Sequence, residues 1–134
     1  MFVHQHQLRP RYGETDPMGF VYYGVYLSYY EVARVEALRS LGLPYRDLER
    51  DGFWMPVLEN HSKYLLPLHY DEQITIQTHI PELPGARIRF CYVFFNEAGQ
   101  EAHRGESILC FLRKDTGRPC KPPPHLITAL DPFF

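Results

Sequence analysis

The sequence lacks the features that would place a protein in a membrane or outside the cell. No run of apolar residues approaches the ~18–20 that a membrane-spanning helix needs. The N-terminus, Met1 to Gln7, has neither the basic segment nor the apolar segment of a secretory signal. The three cysteines include no Cys-x-x-Cys pair and predict reduced thiols rather than a disulfide framework. These absences predict a cytoplasmic protein with no membrane span.

Signals for nucleic acid, metal and a serine nucleophile are also missing. The net charge of −2 offers no basic surface for nucleic acid or for an anionic membrane. The seven histidines show no ligand spacing, since His4 and His6 could share a strand face but no third ligand is evident. No Gly-x-Ser-x-Gly segment is present, which excludes a serine hydrolase of the α/β-hydrolase type. The sequence predicts no metal and no other cofactor.

The composition is sufficient for one folded domain. The 134 residues are 45% hydrophobic and 15% aromatic. A chain of this size can build a core without disulfides or a structural metal. No linker, internal repeat or low-complexity tract interrupts it. We therefore predict a single domain over residues 1–134.

Hydrophobic periodicity predicts one long helix followed by a series of strands. The segment from about Val25 to Leu41 contains no helix breaker, and Gly42 supplies a stop. A shorter helical turn is predicted over 45–51. Strands are predicted over 3–11, 56–65, 73–80, 87–95 and 103–113, and the proline-rich tail from Pro119 should leave the sheet. This order predicts an α+β fold in which an antiparallel sheet packs on one helix.

An acid lies just before the predicted long helix. Pro17 disfavours the α conformation at Asp16, so its carboxylate is expected on extended backbone at the start of a turn. The first amides of a helix have no intrahelical partner and carry a partial positive charge. An activated carbonyl placed there would meet oxyanion donors, with Asp16 as general base or nucleophile. Asp-Pro and Asx turns are common, however, so spacing alone favours a turn-forming role for Asp16.

Three blocks of sequence resemble the hotdog-fold acyl-CoA thioesterases. The first block runs from Tyr12 to Arg39 and contains Glu14-Thr15-Asp16. The other two are residues 64–71, with Tyr-Leu-Leu-Pro, and residues 105–119, which end in Thr-Gly-Arg-Pro. The chain is similar to the branch that contains the 4-hydroxybenzoyl-CoA thioesterase and the Tol-Pal-associated acyl-CoA thioesterase. Together the blocks span nearly the whole chain, which is more specific than one short motif.

The resemblance implies a fold, an assembly and a reaction. It implies a curled antiparallel sheet wrapped around one long helix, with active sites at the interface of a homodimer or homotetramer. It implies hydrolysis of an acyl-CoA to a free acid and coenzyme A, with Asp16 as the catalytic acid residue and the amides of Tyr23 and Gly24 as oxyanion donors. The acyl group is expected between helix and sheet, lined by Tyr22, Tyr26 and Trp54.

Several charged residues have more than one interpretation. Arg87 and Arg89 alternate on a predicted strand, share one face and suit the phosphates of coenzyme A, but they are equally consistent with two solvated arginines. Glu14 is either a second acid beside Asp16 or a residue that faces solvent or bonds to the helix. Residues 31 and 34, a glutamate and an arginine, are expected to form a buried structural pair on the helix.

Two positions depart from the family pattern and leave the function open. Relatives of the Tol-Pal-associated enzyme carry His and Asn where this chain has Tyr23 and Val25. A backbone donor survives the loss of His, whereas Val25 makes no side-chain hydrogen bond and fills apolar space instead. A non-catalytic binder of acyl-CoA or of an aromatic ligand is the alternative, and a hotdog dehydratase, which needs the His, is disfavoured. The acyl group, the carrier (coenzyme A or an acyl-carrier protein) and the choice of dimer or tetramer stay open.

Overall fold

The computed structural model describes all residues from Met1 to Phe134. Its helices are α1 (Tyr26–Ser40), α2 (Tyr45–Arg50) and α3 (Pro124–Leu130). Its strands are β1 (Phe2–Leu8), β2 (Phe53–Trp54), β3 (Val57–Tyr64), β4 (Ile74–Ile80), β5 (Arg87–Phe95), β6 (Glu101–Cys110) and β7 (Leu112–Arg113). None of the three helices is long and apolar enough to cross a bilayer.

Five strands form one antiparallel sheet in the order β1-β4-β5-β6-β3, and α1 packs on one face of it. Side chains alternate between the two faces along β4 and β5, so every second residue is buried against the helix. The helix contributes buried Ala33 and Ala37, whose small side chains allow close approach to the sheet. The predicted α+β class, with a sheet packed on one long helix, is confirmed.

The long helix ends as its sequence predicts. Gly42 has a positive φ of 78°, a conformation that costs glycine little. Its N–H donates to the carbonyl of Arg39, and the N–H of Leu43 donates to the carbonyl of Leu38. This pair of bonds is a Schellman motif, which satisfies carbonyls that the helix would otherwise leave unpaired.

The predicted final strand is wrong at its C-terminal end. The strand ends at Cys110, and the two residues of β7 pair instead with β2 in a separate two-stranded ladder. Phe111, fully buried between the two strands, marks the point where the chain leaves the main sheet. The spacing of apolar residues continues through this change, so alternation alone did not reveal it.

The tail also holds a helix that was not predicted. Helix α3 has proline in its first turn, where the missing N–H costs no hydrogen bond. Leu126 and Leu130 lie four residues apart, share one helix face and are both fully buried. The prolines that predicted a departure from the sheet therefore also introduce a helix.

Strand β3 forms one edge of the sheet and is exposed along its whole length. On its outer side it has no neighbouring strand within this chain. Leu58 keeps 47% of its surface exposed and Tyr64 keeps 50%, large fractions for such side chains on a sheet. An open edge of this kind is a template for pairing with another strand.

Candidate active site

The loop before α1 folds around the carboxylate of Asp16. The backbone N–H groups of Met18 and Phe20 donate to its Oδ1 over 2.9 and 3.2 Å, while Oδ2 has no partner within the chain. The N–H of Asp16 donates to the carbonyl of Phe20 over 2.8 Å, and Gly19 closes the turn with a φ of 80°. Asp16 therefore does form the turn that its spacing predicts, and the turn leaves one carboxylate oxygen available.

The helical segment after this loop begins without a cap. A short 3₁₀ turn over Tyr23–Val25 runs directly into α1, and no side chain caps its first residues. The amides of Tyr23 and Gly24 donate no hydrogen bond to any acceptor in the chain. Unpaired amides at a helix start form a site for negative charge.

Asp16 and Tyr23 line the same open cleft, of about 330 Å³. Eight of its ten lining residues are hydrophobic, including Tyr26 and Tyr64 on one wall. Tyr26 is 3% exposed, and burial raises the pKa of its phenol to about 12, so the phenol stays neutral. The cleft therefore brings together Asp16, Tyr23 at the start of the helical segment, and a mostly apolar lining.

Three aromatic residues were expected to line an acyl site, and the structure separates them. Tyr26 lies in the cleft, and Tyr22 packs at its edge against Tyr23, with ring centroids 4.4 Å apart. Trp54 lies on β2, before the start of β3, whereas the cleft lies beyond the end of β3. The eight residues of β3 span roughly 26 Å at ~3.3 Å per residue, so Trp54 is remote from the cleft of its own chain.

The two strand arginines do share a face, as predicted, but it is the face of the sheet away from α1. Arg89 donates to Glu82 over 2.9 Å and to Glu106 over 3.2 Å, and the hydrogen bond to Glu82 is the main cause that raises its pKa. Arg87 is more exposed, and its nearest carboxylate, that of Glu59, is 3.9 Å away. Neither arginine lies in the Asp16 cleft.

The other two acids near the helix, Glu14 and Glu31, were also assigned interpretations that the structure tests. Glu14 accepts hydrogen bonds from the N–H of Arg11 over 2.7 Å and from the hydroxyl of Tyr29 over 2.9 Å, which agrees with the helix-bonded interpretation. The expected buried pair of Glu31 and Arg34 is wrong: Glu31 is exposed, and the two make no ion pair. Both residues instead line a second cavity of about 230 Å³ beside α2, which contains none of the predicted catalytic residues.

A buried polar cluster under the cleft was missed by the sequence analysis. The hydroxyl of Tyr30 bonds to Ser62 Oγ over 2.6 Å and to His103 Nε2. His103 is fully buried, and burial lowers its pKa to about 4, so the ring is neutral. It stacks on Tyr26, with centroids 4.2 Å apart and planes 24° apart. The alternation of β6 could have placed His103 on the inner face, but its partners are distant in sequence.

The contacts show how Val25 is packed and whether a group of side chains could hold a metal ion. Val25 is partly buried and packs against the hydrophobic core, so its side chain fills apolar space. No three His, Cys, Asp or Glu side chains lie close enough together to hold a metal ion.

Comparison with known proteins places this architecture in a family. A family model described as the thioesterase-like superfamily matches residues 10–130. YneP of Bacillus subtilis (strain 168), a proposed acyl-CoA thioesterase, is 34% identical over 119 residues, which are 89% of this chain and 86% of that protein.

Solved structures agree with this assignment. A DHNA-CoA thioesterase from Staphylococcus aureus has a TM-score of 0.86 at 31% identity, covering 100% of this chain and 85% of that chain. A 4-hydroxybenzoyl-CoA thioesterase solved with 4-hydroxybenzoyl-CoA has a TM-score of 0.84 at 22% identity, covering 95% of this chain and 97% of that chain, and supports the fold alone. The expected hotdog fold is confirmed, and this chain belongs to the thioesterase-like superfamily as a thioester hydrolase.

Proposed function

We propose that the cleft hydrolyses an acyl-CoA thioester, with Asp16 as general base or nucleophile. The observation that carries this proposal is the arrangement of Asp16: two amides hold Oδ1, Oδ2 has no partner within the chain, and Asp16 lines the same cleft as Tyr23 at the uncapped helix start. Several relatives, including an acyl-CoA thioester hydrolase of Escherichia coli O6:H1, support the substrate class.

Two chemical routes fit this geometry. As a base, Asp16 Oδ2 takes a proton from water while the water oxygen attacks the thioester carbon. The carbonyl then re-forms, the carbon–sulfur bond breaks, and the thiolate takes the proton from Asp16. As a nucleophile, Asp16 bonds the carbonyl carbon and expels the thiolate, and water then cleaves the mixed anhydride.

The amides of Tyr23 and Gly24 are the proposed donors to the oxyanion that either route forms. Both amides are unpaired at the start of the helical segment. Removal of one oxyanion donor in an enzyme typically costs ~3–4 kcal/mol of transition-state stabilisation. A positioned general base contributes about 10²–10⁴-fold. Together the two effects would lower the activation free energy of hydrolysis substantially.

The lining of the cleft supports an apolar acyl group. Met18 and Leu65 are 70% and 42% exposed, so the cleft presents apolar surface at its mouth. Tyr26 forms the inner wall, and Tyr22 lies at the edge. Trp54 would reach an acyl group only from a second subunit, because it is at the far end of β3 in its own chain.

For the phosphates of coenzyme A, Arg87 is a better candidate than Arg89. Both carboxylates bound to Arg89 must be displaced before it can bind a phosphate, whereas Arg87 has one distant carboxylate. An Arg87→Ala variant should raise KM for coenzyme A thioesters more than for the matching thioesters of N-acetylcysteamine. An equal change for both kinds of substrate would remove Arg87 from the site.

The exposed edge of β3 supports a homodimer in which two sheets join. Its apolar side chains, such as Leu58, are left uncovered by the chain itself. Pairing of two β3 strands would bury this edge and satisfy its backbone groups. Two such dimers would form the tetramer.

The reaction is tested with a panel of acyl-CoAs from acetyl to palmitoyl, together with benzoyl and phenylacetyl types. Hydrolysis is followed by loss of thioester absorbance, which avoids interference from the three native cysteines. Asp16→Asn should lower kcat by about 100-fold or more, the order expected for a lost base or nucleophile. Asp131→Asn, an exposed acid near the C-terminus, is the matched control and should retain full activity. Binding without turnover in the wild type, unchanged in Asp16→Asn, would instead establish the non-catalytic binder.

A further inference from the structure

The last residue of the sheet edge bonds to the start of the helical segment. The hydroxyl of Tyr64 donates to the carbonyl oxygen of Tyr23 over 3.0 Å, across 41 positions of sequence. No other residue bonds to that carbonyl outside the regular helical hydrogen bonds. The bond therefore connects β3 to the turn that holds the unpaired amides.

The carbonyl of Tyr23 and the N–H of Gly24 belong to one peptide group. A trans peptide is planar, so its C=O and N–H point in opposite directions and turn together. A donor that fixes the direction of the carbonyl of Tyr23 therefore fixes the direction of the N–H of Gly24. Hydrogen bonds in series also polarise one another, by an estimated 10–30% per bond, so the N–H of Gly24 becomes a stronger donor.

The ring of Tyr64 is itself held in place, although half of its surface is exposed. It meets Tyr26 edge-on, with centroids 5.0 Å apart and planes at 86°. It meets His103 edge-on at 4.7 Å and 72°. His103 is in turn bonded to the buried hydroxyl of Tyr30. These contacts limit the directions from which the Tyr64 hydroxyl can reach the turn.

From these contacts we infer that Tyr64 is a positioning residue, which aims and polarises the N–H of Gly24 towards the oxyanion. It does not touch the reacting atoms, and it acts through the peptide between Tyr23 and Gly24. This inference rests on the proposed thioester hydrolysis. Tyr64, at the end of β3, would thus contribute to the reaction at the start of the helical segment.

The variant Tyr64→Phe tests the inference, because it removes one oxygen and keeps both ring contacts. We expect kcat to fall about 10- to 50-fold, less than the ~10²–10³-fold typical when an oxyanion donor itself is removed, with KM changed by less than about twofold. The matched control is Tyr70→Phe: Tyr70 is 53% exposed, and its hydroxyl has no hydrogen-bond partner. The control should keep the kcat of the wild type, and both variants should unfold within about 4 °C of the wild type, because one hydrogen bond contributes ~1 kcal/mol.

A second readout does not depend on activity. The amide nitrogen of Gly24 reports hydrogen bonding at the carbonyl that precedes it, so its ¹⁵N resonance should move upfield in Tyr64→Phe and stay in place in Tyr70→Phe. If no thioester is hydrolysed by the wild type, the proposed function fails, and this resonance still tests the contact. An unchanged resonance overturns the inference. A shifted resonance with unchanged kcat also overturns it, while leaving thioester hydrolysis intact.

Discussion

Gly105 lies on the sheet directly against the ring of Tyr30 from α1. A methyl group placed on its Cα would overlap the hydroxyl and the Cζ of Tyr30 and lie 2.6 Å from its Cε1. Tyr30 is fully buried and stacks on Tyr92, with centroids 4.5 Å apart and planes within 4°. The ring is therefore packed against β5 as well as Gly105, and Gly105→Ala must displace it.

The expected cost follows from what Tyr30 would lose. Overpacking of a dense core typically costs 1–3 kcal/mol. Displacement of the ring also weakens its hydrogen bonds to Ser62 and His103, each of ~1 kcal/mol. We expect Gly105→Ala to lower the free energy of unfolding by about 4 kcal/mol, a large part of the ~5–15 kcal/mol of a typical domain. The midpoint of thermal unfolding should fall by about 10–15 °C.

The assay is urea unfolding at neutral pH, with Gly85→Ala as the matched control. Gly85 has no heavy atom within 4 Å of an added methyl group and no positive φ, so this substitution should change stability by less than about 1 kcal/mol. In a Tyr30→Leu background the overlap is absent, and Gly105→Ala should then cost less than about 1 kcal/mol. A loss below about 1 kcal/mol in the otherwise wild-type chain, or an equal loss in the Leu background, would refute this account of the packing.

Two further predictions concern pH and assembly. Burial lowers the pKa of His103 to about 4, whereas an unfolded histidine titrates near 6.5, so between these values the unfolded state binds more protons. The contribution of neutral His103 to the free energy of unfolding should be fully present above pH ~6.5, and the free energy should fall by about 2–3 kcal/mol between pH 7.5 and pH 4.5. His103→Phe should remove this part of the pH dependence. Equal slopes of unfolding free energy against pH for both proteins would contradict the prediction. If two β3 edges pair, light scattering should give two or four times the mass of the chain, and the unfolding midpoint should rise with protein concentration; a monomer with a concentration-independent midpoint would contradict the dimer.

Local chemistry was sufficient to predict most of the secondary structure. Alternation placed strands β4 and β5 almost residue for residue, because half-buried strands must repeat every two positions. Gly42 ended the long helix where its freedom of φ predicted. Pro17 and Gly19 predicted the turn around Asp16, since each restricts or permits a specific backbone conformation. Most features that depend on neighbours in sequence were therefore accessible without the structure, and α3 is the exception.

The packing partners were not accessible in this way. Antiparallel register sets Ser62 opposite Gly105, and Gly105 opposite Tyr92, so that one row across three strands receives the ring of Tyr30. The sequence could suggest a face for His103 but not its bond to a residue 73 positions away. The distance of Trp54 from the cleft likewise depends on the path of the chain before and after β3.

The sequence by itself thus determined the long helix, most of the strands and the turn that presents Asp16 before the first unpaired amides of the helix. Periodicity and turn chemistry depend only on residues that are a few positions apart, so the sequence alone reveals them. The tertiary structure alone decided that Tyr64 reaches the carbonyl of Tyr23 and that His103 lies neutral beneath Tyr26. Those contacts join residues from separate strands and from α1, and only the pairing of the strands and the packing of the helix bring them together.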